Sequence, residues 1–385
     1  MRALCQVCIG RATDRTVNHR DGETGPIVDT ADPPRTPKNW PDRCSVAYSN
    51  AFSRVTGNDR AWRRRPVVNG ASAARASKQG AVRQMGEMVL FLLRVGIPAA
   101  VVALAAGAAA GGPADRHAGL TRATVRLCAH RGGKGLWPES TLLAYREVSK
   151  HFPSVLLEGD ARLTADGHIV LMHDDTVDRT TNGQGAVAQF TLAEIKALDA
   201  GYRFTQDDGK SFPYRGQGIT VPTFEEALQT LPDAVFLIEL KRGSALPEAM
   251  IALLRRMNAT QRVILASFHE ALLQVVRKTA PEIATCFTFG SGIRMLQALR
   301  DGDWAAYTPE DLLLALPDEL EQRYALTAEE IRAIQAKGVL VQVHTVNRHD
   351  EMVRLLELGV DSIITDYPDV LAEVLAQIDR PSQGL

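Results

Sequence analysis

Four short strings carry residue types that could do phosphate chemistry: His130-Arg131-Gly132-Gly133, Glu158-Gly159-Asp160, His173-Asp174 and Glu239-Leu240-Lys241. Each closes a short apolar run that reads as a strand, so the charged groups fall at strand ends. Glu158 and Asp160 are two apart, which on a strand puts both carboxylates on one side. With Glu239 they offer three hard oxygen donors. That set suits one divalent cation, Mg2+ or Ca2+ with Mn2+ next, rather than zinc, which prefers nitrogen and sulfur. His130 and His173 provide the acid and base that cleavage of a phosphodiester needs, because imidazole titrates near pH ~6.5. The sequence does not assign which is which. Arg131, a rigid fork, and Lys241, a movable point charge, form an anion clamp. The Gly132-Gly133 pair permits close backbone approach, a weak signal by itself. His151 and His168 read as surface residues, and Asp174 and Asp175 as loop caps or supporting groups.

These residues need a scaffold that gathers strand ends at one place. From about 124 to 378 the chain has roughly the ~250 residues of a (β/α)8 TIM barrel, whose active sites form at the C-terminal ends of the strands. Eight apolar runs stand out: Val125–Ala129, Val155–Glu158, Ile169–His173, Val235–Glu239, Val263–Ser267, Ile283–Phe287, Leu340–Val346 and Ser362–Thr365. Such continuous runs suit a parallel sheet covered on both faces. Helical patterns fill most gaps. Ser140 reads as an N-cap before Leu142, and Thr223 with Glu226 as a capping box. Another helix starts at Leu326-Thr327, and a periodic run after His349-Asp350 ends at Gly359. Asp160 and Ile169 are too close in sequence for a crossover helix, which predicts an extended return between the second and third strands. Residues 174–222, rich in Gly, Asp, Thr and Gln, read as an insertion after the third strand, over the barrel mouth.

The rest of the chain sets limits. Of 385 residues, 44 are Lys or Arg and 45 Asp or Glu. This near-neutral balance, with no extended basic face, excludes nucleic acid as a partner. No protein partner is implied. Residues 1–84 read as disordered, or as a start assigned upstream of the natural one, since Met85 and Met88 precede a very different segment. Residues 85–112 read as an export signal, with Arg94 before an apolar stretch that closes on Ala and Gly. An uncleaved membrane anchor over residues 89–110 is the alternative, since about 20 apolar residues can span. Export predicts a periplasmic or extracellular enzyme. Cys5 and Cys8 lack a second pair, so no zinc site is read there. Cys128 and Cys286 read as small buried hydrophobes without a disulfide.

From Arg126 to Leu371 the chain resembles the glycerophosphodiester phosphodiesterase family. The resemblance rests on Ala-His-Arg-Gly (129–132), Pro-Glu-Ser-Thr (138–141), Leu-Glu-Gly-Asp (157–160) and Met-His-Asp-Asp-Thr-Val-Asp-Arg-Thr-Thr (172–181). It continues through Ile-Glu-Leu-Lys (238–241), Ser-Phe (267–268), Thr-Val-Asn (345–347) and Gly-Val-Asp-Ser-Ile-Ile-Thr-Asp (359–366). It implies a TIM barrel that hydrolyses a small-molecule glycerophosphodiester to an alcohol and glycerol 3-phosphate. It also implies metal on Glu158, Asp160 and Glu239, acid/base work by His130 and His173, and phosphate contact by Arg131 and Lys241. Three positions depart from the family pattern: Ser140 for Asn, Ser362 for Gly, and His344 for Trp. The last predicts an altered substrate pocket. The competing readings are a phospholipase D toxin-like enzyme acting on lysophospholipid or sphingolipid, and a non-catalytic anchored binding protein.

Overall fold

The structure, a computed structural model, describes Pro113, residues 117–318 and residues 326–379. The expectations for residues 1–112, including the export or anchor segment and Cys5 and Cys8, lie outside the described residues. Among the described residues no helix is long and apolar enough to cross a membrane.

Among the described residues, nine strands form one sheet: β1 (Leu127–Ala129), β2 (Leu156–Leu163), β3 (Ile169–Leu171), β4 (Val235–Leu240), β5 (Val263–Ala266), β6 (Ala284–Thr285), β7 (Leu313–Pro317), β8 (Leu340–His344) and β9 (Ser362–Thr365). Eight run parallel in the order β6-β5-β4-β2-β1-β9-β8-β7. A parallel bridge between Cys286 and Leu313 joins the two ends, beside the Phe287 N–H donating to Leu313 O at 2.9 Å. This is the expected (β/α)8 barrel.

The identity of its staves differs from the sequence reading in two places. The run Ile169–His173 is not a stave. β2 continues past the barrel, and β3 folds back on it antiparallel, pairing Ala161 with Leu171 and Leu163 with Ile169. An antiparallel return needs only a turn, and the Thr164 N–H donating to His168 O at 2.9 Å closes it around Gly167. The missing stave is β7. Its Leu-Leu-Ala-Leu-Pro has no β-branched residue and favours helix by local propensity, so its strand state is imposed by neighbouring β8, paired over Leu313–Leu340 to Pro317–His344.

Among the described residues, eight helices cover the barrel: α1 (Leu142–His151), α2 (Phe224–Thr230), α3 (Leu246–Arg256), α4 (Glu270–Thr279), α5 (Phe289–Asp301), α6 (Ala328–Gln335), α7 (His349–Leu358) and α8 (Pro368–Ile378). The Thr223 capping box is present, with Thr223 Oγ1 accepting from Glu226 N–H at 3.0 Å and Glu226 Oε2 accepting from Thr223 N–H at 2.8 Å. Thr327 caps α6 in the same way, and Gly359, at φ 105°, ends α7. At α1 the cap is Thr141, not Ser140: Thr141 Oγ1 accepts from Ala144 N–H at 3.2 Å. Ser140 instead sits at φ 55°, a left-handed position that suits Asn or Gly better than Ser.

Side chains inside the barrel alternate with those under the helices. Cys128, Leu156, Leu237, Ile264, Cys286 and Ile364 fill the interior, closed below by Leu120 and Val125. Both described cysteines are free thiols buried there, as the sequence predicted. Two residues further along β2 and β4, the same inward side carries Glu158 and Glu239. The interior therefore changes from apolar to ionic at the C-terminal mouth. Residues 174–222 carry a small core of their own around Val177, Val187, Ile195 and Val221. They meet the mouth, where Gln206 Nε2 donates to Gly135 O at 3.1 Å.

Candidate active site

β2 and β4 are paired in register with Asp160 opposite Glu239, so these carboxylates share one side and one level. Glu158 lies one pleat below. Lys241 follows on β4, and its ammonium is 2.9 Å from Asp160 Oδ1 and 2.7 Å from Glu239 Oε2. Among the described residues, no three His, Cys, Asp or Glu side chains are drawn together as an ion would hold them. Lys241 stands between two of the three expected ligands. Burial pushes the Glu158 carboxyl up, and the neighbouring Asp160 adds to the effect. Glu239 is also raised by burial, against the pull of Lys241. Burial acts on Asp160 in the same sense, but Lys241 and Arg131 outweigh it and hold that carboxyl low.

Arg131 sits in a three-residue turn directly after β1, at φ 51°. Such a backbone costs about 1–3 kcal/mol for a non-glycine residue and persists only where its surroundings fix it. Here the Arg131 N–H donates to Glu158 Oε2 at 2.7 Å, and Arg131 O accepts from Ser140 N–H at 2.9 Å. The guanidinium lies 3.5 Å from Asp160 Oδ2 through Nε and donates through Nη1 to Glu139 Oε1 at 3.0 Å. Gly159 serves the same corner. A Cβ there would meet the Tyr145 hydroxyl at 2.5 Å, and that hydroxyl donates to Glu158 O at 3.2 Å. The Gly132-Gly133 pair serves packing, at φ 81° and 85°, with Cβ positions crowded by Ala144 and Pro368.

His130 and His173 each have Nδ1 on an aspartate. His130 Nδ1 is 2.6 Å from Asp366 Oδ1, and His173 Nδ1 is 2.7 Å from Asp174 Oδ1. A carboxylate at Nδ1 keeps the proton there and leaves the Nε2 lone pair of the neutral ring outward. His130 Nε2 is 4.0 Å from Glu158 Oε2. Burial lowers the affinity of both rings for a second proton. The aspartate bond partly offsets this for His130, and the charge of Asp160 does so for His173. His173 reaches the mouth because β3 turns back: Met172 N–H donates to Asp160 O at 2.8 Å. Its approach is that of a hairpin, not of a third stave.

His344 ends β8, half-buried at the same mouth. Burial, with the neighbouring His130, lowers its pKa to about 4, so the ring is neutral at ordinary pH. His151 and His168 are exposed, as expected.

Sequence reasoning missed Asp366, Glu139, Asn347 and Arg179. Asp366 follows β9 directly, so the rule that found the other site residues, a charge closing an apolar run, also finds it. Asn347 Nδ2 donates to Asp366 Oδ2 at 2.9 Å and steadies it. Glu139 and Arg179 lie in loops and give no periodic signal. Arg179 donates to Glu139 Oε2 at 2.6 Å and to Asp174 Oδ2 at 2.6 Å.

Comparison with known proteins agrees with this geometry. The family model described as the Glycerophosphoryl diester phosphodiesterase family matches residues 130–370. A glycerophosphodiester phosphodiesterase of Caldanaerobacter subterraneus subsp. tengcongensis is 35% identical over 257 residues, covering 65% of this chain and 97% of the relative. One of Bacillus subtilis (strain 168) is 32% identical over 297 residues, covering 74% and 97%. The crystal structure of glycerophosphodiester phosphodiesterase from Agrobacterium tumefaciens str. C58 superposes with a TM-score of 0.52 at 27% identity, covering 65% of this chain and 99% of that one. With a matching barrel, a mouth of paired carboxylates and cations, and relatives covered nearly end to end, this chain belongs to the glycerophosphoryl diester phosphodiesterase family and is a phosphodiesterase of that family.

Proposed function

We propose that this enzyme hydrolyses glycerophosphodiesters to an alcohol and glycerol 3-phosphate, using His130 and His173 for proton transfer and a divalent cation held by Glu158, Asp160 and Glu239. The observation that carries the reading is the meeting at one barrel mouth of three carboxylates, two cations and two aspartate-held imidazoles.

The residues fit a hard cation. All three carboxylates offer oxygen, the donor that Mg2+, Ca2+ and Mn2+ take. Asp160 Oδ2 is buried and accepts no hydrogen bond. The upward shifts of Glu158 and Glu239 mark a place where additional positive charge stabilises the ionised forms. When bound, the ion supplies Lewis-acid polarisation of the phosphoryl oxygens.

The chain's own groups do the rest. Arg131 and Lys241 hold the phosphate anion between them, Arg131 by its fork and Lys241 by its charge. One imidazole takes a proton from the attacking water at its free Nε2 as the new P–O bond forms. The other, protonated, gives a proton to the departing alkoxide as the old P–O bond breaks, each worth about 10²–10⁴-fold in rate. His344 borders the group attached to the phosphate, and its neutral, polar ring favours a polar leaving alcohol over an apolar one. Export to the periplasm or beyond, directed by residues 85–112, completes the proposal; N-terminal sequencing of the mature protein checks it, with a start near Gly111 expected.

The central test is release of glycerol 3-phosphate from a panel of glycerophosphodiesters, with Mg2+, Ca2+ or Mn2+ and with excess chelator. Release with a cation and none with chelator is expected. Undiminished turnover in chelator removes the metal from the proposal, and a cyclic phosphate product in mass spectrometry points to the toxin-like reaction instead.

A further inference from the structure

The insertion does more than cover the mouth. Its Arg179 makes a double fork to two carboxylates, each of which holds a different working residue. On one side Nε donates to Asp174 Oδ2 at 2.6 Å and Nη2 to Asp174 Oδ1 at 3.2 Å. On the other, Nη1 donates to Glu139 Oε2 at 2.6 Å and Nη2 to Glu139 Oε1 at 2.8 Å. Asp174 in turn holds His173 Nδ1, and Glu139 Oε1 also accepts from Arg131 Nη1. An unbroken path thus runs from the second histidine through Asp174, Arg179 and Glu139 to the phosphate-clamping arginine.

An isolated surface ion pair has little effect on anything. This arrangement differs in geometry. Glu139 is largely buried and receives two arginines at once, while Arg179 itself is half-exposed. The backbone that carries Arg179 is fixed: Val177 is fully buried, its N–H donates to Gly185 O at 3.0 Å, and Thr181 N–H donates to Val177 O at 3.1 Å. Planar, bidentate bonding on both edges sets the angle between the two carboxylates, which a lysine cannot do.

We infer that Arg179 is a positioning residue that sets His173 and Arg131 relative to each other, so that the insertion is part of the catalytic apparatus. The inference rests on the proposed roles of those two residues. Misplacement of such groups by about 1 Å costs on the order of 10²-fold in rate, and a loss near that size is expected for Arg179→Gln.

The experiment measures kcat and KM for Arg179→Gln, Arg179→Lys, Arg179→Ala, Glu139→Gln and the Arg179→Gln/Glu139→Gln double variant, with thermal melts of each. The expected result is a fall in kcat/KM of about 10²-fold in Arg179→Gln, shared between kcat and KM, with little rescue by lysine. The double variant should be no worse than the poorer single one. Added guanidinium ion should restore Arg179→Ala several-fold and leave the parent enzyme unchanged. A kcat/KM within about two-fold of the parent overturns the inference. So does a loss that is additive with Glu139→Gln, insensitive to guanidinium and parallel to a lowered melting temperature. His173→Ala and Arg131→Ala run beside these variants. If those two keep full activity, the functional reading itself has failed, whereas their loss with an unaffected Arg179→Gln refutes only the positioning role.

Discussion

The two histidine–aspartate pairs look alike in their hydrogen bonds and differ in how they are built. His130 and Asp366 both stand at the ends of barrel staves, β1 and β9, which pair directly through Ala129 and Thr365. His173 and Asp174 are sequence neighbours on the return of a hairpin, and a loop arginine holds their carboxylate. His130's side chain is 14% exposed and that of His173 is 36% exposed. The stave-built pair is fixed by the sheet itself. The hairpin-built pair is fixed by side-chain bonds that water can compete for. The same histidine–aspartate pair can thus rest on the sheet or on side-chain bonds, and the pair held by side-chain bonds lies next to residues 174–222.

Removing the histidines gives the largest expected effect and tests whether the pairs share the chemistry. His130→Ala and His173→Ala should each lower kcat by about 10²–10⁴-fold on a glycerophosphodiester with an alkyl alcohol. On a nitrophenyl ester, whose leaving group needs no proton, one of the two should recover most of its activity, and that one is the acid. Equal losses on both substrates would show that the pairs do not divide acid from base.

Replacing the aspartates should separate the two kinds of support. Asp366→Asn, in a buried setting where an amide can hold the wrong tautomer, should cost about 10²–10³-fold in kcat. Asp174→Asn, beside water, should cost roughly ten-fold less than Asp366→Asn. A reversed order in steady-state kinetics would break the comparison.

The acid limb of kcat/KM sharpens it further. The base works as the neutral ring, so activity rises as pH increases through its pKa. Burial lowers both rings below the ordinary 6.5, which puts that limb below pH 6.5. A limb above 6.5 in the pH profile would mean that the aspartate bond outweighs burial in the working enzyme.

Stability against pH probes the insertion side. Burial would raise the Glu139 carboxyl, but Arg179 and Arg131 outweigh it and hold the pKa at about 2 against 4.5. Its folded value is depressed, so its contribution is complete above 4.5 and is lost as pH falls through about 2. Urea melts of the parent and Glu139→Gln should therefore differ above pH 5 and converge toward pH 2; a constant gap would mean the carboxylate charge does not contribute. The smallest effect is expected on the stave side, from His344→Trp, which should reorder substrate preference toward less polar alcohols with kcat changed only a few-fold. An unchanged ranking across the substrate panel removes His344 from the pocket.

Much of this site was legible along the chain, and the reasons are local. A charge that closes an apolar run locates His130, Glu239 and Lys241 at or beside a strand end without coordinates, whereas Glu158 and Asp160 lie inside β2, which runs on to Leu163 where it pairs with β3. Asp366 obeys the same rule. His173 also closes an apolar run, but the run belongs to a hairpin, because strand direction depends on partners and not on periodicity. β7 failed the other way, since its three leucines and one alanine prefer helix until β8 supplies hydrogen bonds.

What the sequence determined by itself was the fold class and the residue types of the site, because strand runs, caps and charged strand ends are written in neighbouring residues. Tertiary structure alone decided the rest: Lys241 reaching Asp160 as well as Glu239, Asp366 on the His130 imidazole, and Arg179 joining Asp174 to Glu139. Those contacts span up to 236 residues of chain, and no local propensity encodes a contact whose partners meet only after the barrel has closed.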